Sequence, residues 1–250
     1  MKRAICIAAT VAALGALGGC MPEPEQATRD AAGNATGWTQ SPRIEAVRHA
    51  RATLIFSGQA EPGARVVLRN DEGAAYAAAA DPDGRFEIRM AVPTGSLLLR
   101  PETQVGQDAV ASPERLVIID GGRGPIAILR SGGATRRLDA APALGAIDSD
   151  AQSLLASGHT GAPGQRLAVS AGSDAVEVES GQGGRWSVLL GPIPVNGVVR
   201  VDGAAFAWPG PGAVGPGLQV ERAGSGWRIG WAGARGVHQW TWLPDAPPAG

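Results

Sequence analysis

Residues that could perform acid–base, nucleophilic or metal chemistry are few in this sequence, and they are scattered. The three histidines, His49, His159 and His238, stand far apart along the chain. No Gly-x-Ser-x-Gly, His-Glu-x-x-His, Cys-x-x-Cys or Walker segment is present, and these are the spacings that position a nucleophile, a metal or a phosphate. A serine–lysine pair would have no base in the mature protein, because the only lysine, Lys2, lies in the N-terminal segment that is expected to be removed. The sequence therefore predicts no catalytic residue, no metal site and no cofactor, and we expect that the protein is not an enzyme.

Two glycine-containing segments match ligand loops only in their spacing. Gly210–Gly215 has the Gly-x-Gly-x-x-Gly pattern of a dinucleotide-binding turn, which must lead from a strand into a helix. Flanking prolines at Pro209 and Pro216 argue against that helix, so we expect a proline/glycine loop. Asp81-Pro-Asp-Gly84 lacks the further acidic ligands and the distal glutamate of a calcium loop, and we expect a hairpin turn there.

Tryptophan is concentrated in the second half of the chain, where six of the seven occur. The candidate contact residues are Trp208, Trp227, Trp231, Trp240 and Trp242. One interpretation is an aromatic platform that stacks on sugar rings or docks a partner. The other is that these rings fill a core while the alternating residues between them face solvent, and this is favoured. Trp208 and Trp242 lie near loop or chain ends, so we expect them to be the most exposed of the set.

The first nineteen residues have the order of an export signal. Lys2 and Arg3 precede an apolar run from Ala4 to Gly19, which is shorter than the ~20 residues of a membrane span. The segment Leu17-Gly18-Gly19-Cys20 resembles the bacterial lipobox. The resemblance implies cleavage before Cys20 and lipidation of Cys20 with diacylglyceryl and further acyl (palmitate-type) chains. Several acyl chains give stable membrane anchoring where one gives only marginal binding.

The residue after the cysteine bears on the membrane to which the protein is sent. Met21 stands where the enteric members of the lipoprotein class carry an aspartate for inner-membrane retention. The resemblance therefore implies an outer-membrane lipoprotein, on the periplasmic face or the cell surface.

Charge and cysteine content exclude further classes. The formal net charge of −1 gives no electrostatic footprint for nucleic acid, so no nucleic-acid partner is expected. Of the two cysteines, Cys6 leaves with the signal and Cys20 is used for lipidation, so no intramolecular disulfide is expected. The folded part must then be stabilised by apolar cores.

After the signal the chain consists of a polar stretch and two similar units. Residues 20–48 lack apolar periodicity and predict a flexible tether that starts at the lipidated cysteine. Residues 54–64 match 154–165, and 83–88 match 183–188, so the same pattern recurs about 100 residues later. Phe86, Ile88 and Met90 alternate with charged residues, as in a half-buried strand. We expect a first unit over 49–140, a linker over 141–152, a second unit over 153–244 and a disordered tail over 245–250.

The landmarks of the first unit carry a resemblance to known β modules. Gly58-x-Ala-x-Pro-Gly-Ala-x-Val66, followed by Asp81-x-Asp-Gly-x-Phe-x-Ile88, is similar to bacterial Ig-like modules and nearly as similar to the carboxypeptidase-regulatory-like β-sandwich. Together with short strands separated by turns, this predicts an all-β chain with two tandem Ig-like antiparallel β-sandwich domains. These motifs mark strand and turn geometry and imply no functional residues.

The sequence leaves two functions open. The first is a lipid-anchored envelope protein that acts as a non-catalytic binding or structural spacer module, with an envelope protein or glycan as its partner. The second is a carbohydrate- or peptidoglycan-binding lipoprotein that uses the tryptophans of the second unit. Burial of those tryptophans would remove the platform interpretation.

Overall fold

The computed structural model describes residues 40–106, 108–150, 152–233 and 236–246. The expected signal peptide, Cys20, most of the expected tether and the last four residues of the expected tail lie outside these ranges. Within them, the regular structure is β-strand, with two short 3₁₀ turns at Asp120–Gly122 and Gln182–Gly184. The predicted all-β class is confirmed. In the same ranges no helix has the length and apolar character needed to cross a bilayer.

Twenty strands follow one another within these described ranges. The first half contains β1 Arg43–Ala50, β2 Thr53–Gln59, β3 Arg65–Arg69, β4 Ala75–Ala79, β5 Arg85–Ala91, β6 Leu97–Val105, β7 Asp108–Ala111, β8 Glu114–Ile118, β9 Ile126–Arg130 and β10 Arg136–Arg137. The second half contains β11 Leu144–Ser149, β12 Leu154–His159, β13 Arg166–Ala171, β14 Asp174–Glu179, β15 Arg185–Leu190, β16 Val198–Val201, β17 Ala204–Ala207, β18 Gln219–Arg222, β19 Gly226–Ala232 and β20 His238–Pro244. "First half" and "second half" denote these two groups below.

Each half is a pair of antiparallel sheets around its own apolar core. In the first half the order β1-β2-β5 faces β10-β9-β8-β6-β3-β4, with β7 also paired to β6. In the second half β15-β12-β11-β20-β19-β18 faces β14-β13-β16-β17. Strand β5 shows the alternation expected of a sandwich strand: Phe86, Ile88 and Met90 face the core, and the intervening residues face solvent.

The two halves share their strand register. Ile44 pairs with Gly58 in the first half, and Leu144 pairs with Gly158 in the second, 100 residues further on. In both halves the register shifts directly after this pair, which marks a β-bulge at the same place in β1 and β11. The sequence similarity between the two units therefore extends to matching backbone irregularities.

Glycine is required at the paired position in both halves. A Cβ atom at Gly58 would lie 2.0 Å from the carbonyl oxygen of Arg43, and one at Gly158 would lie 2.1 Å from that of Ala143. An aromatic ring of the neighbouring strand lies 2.8 Å from the same point in each half. No side chain fits at these separations, so the bulged strand and the aromatic residue approach each other only over glycine.

A third apolar cluster joins the halves. It combines β8 and β9 of the first half with β11, β19 and β20 of the second. Its buried members are Val117, Ile119, Ala127, Leu129, Ala146, Ile229, Trp231 and Leu243. Strands β8 and β9 are therefore buried on both faces, one against the first core and one against the second half. Such two-sided burial explains their unbroken apolar sequence.

The structure changes two of the expected boundaries. Strand β1 begins at Arg43, inside the expected tether, and β11 occupies 144–149, inside the expected linker. Strand β1 has little apolar content, because one edge pairs with β2 and much of its surface stays exposed. Strand β11 is a central strand that pairs with both β12 and β20, so the segment between the halves belongs to the second sandwich.

Candidate functional site

The favoured interpretation, that these tryptophans fill a core, holds for four of the five, and the platform interpretation is wrong for them. Trp208, Trp231, Trp240 and Trp242 are 1%, 2%, 4% and 0% exposed. The expectation that Trp208 and Trp242 would be the most exposed is therefore wrong as well, since their rings contact each other edge to face in the second core. Trp227 is half-buried, and the guanidinium carbon of Arg222 lies 5.0 Å from its ring centroid.

Strand pairing explains why these residues form no common face. Ile229 pairs with Thr241, and Gly230 pairs with Trp240, so the two rows of tryptophans point to opposite sides of the sheet. The Trp231 side packs in the cluster between the halves, while Trp242 packs in the second core. The residues that alternate with the tryptophans were expected in solvent, yet Thr241 and Gly230 are buried, because both faces of this hairpin are covered.

The glycine-containing segments behave as loops. Residues 209–215 form irregular chain, as expected, and a Cβ at Gly212 would lie 2.7 Å from the Trp240 ring, so this loop covers that tryptophan. Asp81–Gly84 is a turn in which the Asp81 carboxylate accepts hydrogen bonds from the amides of Asp83 and Arg85, at 2.9 and 2.8 Å. This turn connects strands of different sheets, which corrects the expectation of a hairpin.

The histidines do not come together. His49 and His159 are exposed in different halves, and His238 packs edge to face on Trp240. Across the described ranges, no group of three or more histidine, cysteine, aspartate or glutamate side chains is arranged to hold a metal ion.

A short segment between the halves makes hydrogen bonds with both of them. Thr135, Arg136 and Arg137 lie at and within β10, where neighbouring side chains point to opposite sides of the strand. Arg136 reaches the bulge of β1, where its guanidinium donates to the carbonyl oxygens of Ile44 and of Glu45. This side chain caps carbonyl groups on the unpaired edge of the first sandwich.

Arg137 makes the corresponding contact with the second half. It donates to the carbonyl oxygen of Gly145, at the same bulge position that Glu45 occupies in β1, and to that of Pro244 at 2.9 Å. Its guanidinium also pairs with the Asp139 carboxylate, with Nε 2.7 Å from Oδ1. Two adjacent arginines thus bind equivalent points of the two halves. All three guanidinium nitrogens of Arg137 donate hydrogen bonds at this junction.

Asp148 adds a carboxyl group to this junction. It accepts hydrogen bonds from the Thr135 amide at 2.7 Å, from the Thr135 hydroxyl at 2.6 Å and from the Thr241 hydroxyl at 2.7 Å. The carbonyl oxygen of Thr135 in turn accepts from the Ser157 hydroxyl. Burial raises the pKa of Asp148 to about 6, against the opposing effect of its hydrogen bonds.

Next to this junction lies an open cleft of about 1100 Å³. One side is formed by β1, the start of β8 and the segment from β9 to residue 141, and the other by β11, β12 and β15. The two sides therefore come from different halves, and the surface exists only because the halves pack together.

Positive charge dominates the cleft. Five arginines line it against three carboxylates, Glu45, Glu114 and Asp139. Only Arg137 among these arginines belongs to an ion pair in the described part of the chain. The arginines left without one are Arg43, Arg130, Arg136 and Arg185.

The pKa of Arg136 reflects its burial and the mixed charges around it. Burial lowers its pKa, and the nearby cations Arg185 and Arg43 lower it further, while Glu114 and Glu45 oppose the shift. An arginine stays protonated through such shifts. Arg43 and Arg185 therefore repel Arg136, and an anion bound in the cleft would reduce that repulsion.

Trp186 also lines the cleft and carries an unused donor. The residue is 4% exposed, and its Nε1–H has no acceptor among the described residues. The equivalent position in the first half is Phe86, whose ring packs beside Gly58 in the same way and has no side-chain N–H. The indole donor is therefore not needed for packing at this position, and a buried donor without a partner is costly.

Sequence reasoning missed the cleft residues, although two signals were available. Arg136 and Arg137 are adjacent cations at the end of the first unit, and the alternation of β10 sends them to opposite sides. The unbroken apolar runs of β8 and β9 indicate burial on two faces, and hence contact between the units. Which arginines would then line a cleft depends on packing between distant segments, and no local pattern records it.

Comparison with known proteins adds little. No family model and no curated protein matches this chain. One similar solved structure is described as a Ca²⁺-stabilised adhesin that helps an Antarctic bacterium reach out and bind ice. It shares 12% identity at a TM-score of 0.24, with 84% of this chain and 49% of that chain covered, so this chain spans about half its length. A similarity at this level carries no statement about function.

Proposed function

We propose that this chain is a lipid-anchored, non-catalytic binding module of the bacterial envelope, and that its binding surface is the cleft between the two halves. The observation that carries the proposal is the set of cleft arginines without ion pairs. A concave surface on which cations outnumber carboxylates favours a ligand that supplies negative charge. A pure spacer needs stiffness alone, and these arginines would have no role in it.

The scaffold around the cleft suits binding. Its two sides are fixed by the apolar cluster between the halves and by the contacts of Arg136 and Arg137 with β1 and β11. A site held by packed strands loses little conformational freedom when a ligand binds, so more of the interaction energy remains as affinity.

The anchoring part of the proposal rests on the resemblance of residues 17–20 to a lipobox. In this proposal Cys20 carries the lipid, the membrane is a partner through that lipid, and the folded part acts at the outer membrane, on the periplasmic face or the cell surface. We do not retain the carbohydrate- or peptidoglycan-binding alternative, because four of the five tryptophans on which it depended are buried and Trp227 is half-buried.

Anchoring is tested by mass spectrometry of the mature N-terminus and by membrane fractionation of cells that express the full chain. We expect an acylated Cys20 as the first residue, and release from the membrane fraction in the Cys20→Ser variant. An unmodified cysteine in a membrane-bound protein would contradict lipid anchoring.

Binding is tested by placing a photoreactive amino acid at His159, which is exposed in the cleft, and at Val176, which is exposed on β14 outside it. Irradiation of intact cells should give a cross-linked envelope product from position 159 and none from position 176. No product at 159, or the same product from both positions, would refute the cleft as the binding surface.

A further inference from the structure

The cleft arginines differ in how much of their bonding capacity is in use. Arg137 is occupied by Asp139 and by carbonyl groups, and Arg136 uses part of its guanidinium on the β1 bulge. No side-chain hydrogen bond of Arg43 or Arg185 is formed with the described residues, and both are exposed on strand ends that border the cleft from opposite halves. Each guanidinium offers a planar donor face that matches a carboxylate.

The spacing of these groups along the cleft favours a ligand with several carboxylates. Arg43 and Arg185 belong to different halves, and both are close enough to Arg136 to lower its pKa. A cleft of about 1100 Å³ exceeds the volume of a pocket for one small acid. The geometry therefore suits an extended chain that crosses the junction and places acidic groups on both sides.

The remaining lining distinguishes a peptide from a sugar chain. Pro113 is exposed and Leu138 is half-buried, so both can supply apolar contacts, and Trp186 is the only tryptophan, tyrosine or phenylalanine among the described lining residues. Because Trp186 is buried, its ring face is not available for sugar stacking. Its N–H is buried as well, so the polar contacts with a ligand come from the exposed arginines that line the cleft.

We propose that the ligand of this cleft is an extended acidic peptide segment, whose carboxylates bind Arg43, Arg136 and Arg185. This proposal rests on the proposed function, since it names the ligand class of the same surface. The peptide bridges the two halves, with the guanidinium groups of Arg43 and Arg185 contacting acidic side chains at its two ends.

The test measures the fluorescence anisotropy of a labelled hexaglutamate peptide with the purified full-length protein in detergent. We expect Arg43→Gln and Arg185→Gln each to weaken binding about 5-fold, because each removes a charge-assisted contact. The matched controls are Arg65→Gln and Arg166→Gln, which remove exposed arginines that make no ion pair and lie outside the cleft. These controls should change affinity less than about 2-fold, since exposed charges far from the ligand are screened.

Three results would overturn the proposal. The first is no binding of hexaglutamate, the second is an equal loss in the cleft and control variants, and the third is tighter binding of an oligogalacturonate, which would assign the cleft to an acidic glycan. The photocross-linking result is independent of all three. If position 159 still gives its specific product, the binding function stands and only the acidic-peptide assignment fails.

Discussion

Replacing Asp148 by asparagine should change how the stability of this protein depends on pH. Asp148 is half-buried, and desolvation raises the pKa of its carboxyl from 3.8 to about 6. A folded-state pKa above the unfolded value means that the folded protein retains this proton over a range in which the unfolded chain has lost it. Asp148 therefore lowers the stability of the fold as the pH rises from about 4 to about 6, whereas a salt-bridged aspartate would raise it.

The size of the effect follows from the shift. A difference of about 2 pKa units at ~1.4 kcal/mol each gives about 3 kcal/mol of destabilisation that is fully present above pH ~6 and absent below pH ~4. Asparagine can keep the geometry, because its oxygen can accept from the Thr135 amide while its amino group donates to the hydroxyls of Thr135 and Thr241. The variant carries no charge at any pH.

The assay is urea unfolding followed by tryptophan fluorescence for both proteins, at steps between pH 4 and pH 7. The unfolding free energy of the variant minus that of the wild type should increase by about 3 kcal/mol across this range, since the other carboxyl groups cancel in the difference. A difference that stays constant with pH would refute the reasoning, because it would mean that Asp148 titrates as it does in the unfolded chain.

Asp150 provides the control with the opposite sign. Hydrogen bonds from the amides of Gln152 and Ser153 lower its pKa, so its contribution to stability is present above the unfolded pKa and is lost as the pH falls through the folded one. Asp150→Asn should therefore destabilise the protein near pH 7, with the deficit shrinking in acid.

Further substitutions test the packing and the junction, all by urea unfolding. Gly158→Ala should destabilise by about 2–3 kcal/mol, because its methyl would overlap a carbonyl oxygen, whereas Gly161→Ala, with open space around it, should be nearly neutral; equal effects would contradict the close approach. Arg137→Gln should cost about 3 kcal/mol, because it leaves buried carbonyl groups and a carboxylate without their partner, and a neutral outcome would show that this contact does not hold the halves. Trp186→Phe should lie within about 1 kcal/mol of the wild type, since ring packing is retained and an unsatisfied donor is removed, while Trp186→Ala should cost about 3–5 kcal/mol; a large loss in the phenylalanine variant would mean that the indole N–H has a partner.

The sequence predicted the local structure well where the pattern itself determines it. Alternation in β5 and the glycine-containing turns predicted strands and turns that the structure contains. The similarity of residues 54–64 to 154–165 corresponds to the shared register of β2 and β12. These features depend on neighbouring residues, and neighbouring residues are what a sequence displays directly.

The predictions that failed depend on contacts between distant segments. The sequence of each strand shows which of its tryptophans share a face, but only the pairing of Gly230 with Trp240 shows that the tryptophans of β19 and those of β20 lie on opposite faces. The face of this hairpin that carries Ile229, Trp231 and Leu243 packs against β8 and β9, and nothing within residues 226–244 indicates that contact. The cleft is a product of the same contact, so its arginines could not be identified before the halves were placed together.

The apolar cluster between the halves also limits what each half can be on its own. A second half separated from the first would place Ile229, Trp231 and Leu243 in water, as one contiguous oily patch on a folded sheet. Neither half is therefore expected to be soluble as a separate domain in another protein. Each half keeps the apolar contact surface of the other out of water, so the two halves must be expressed together to remain soluble.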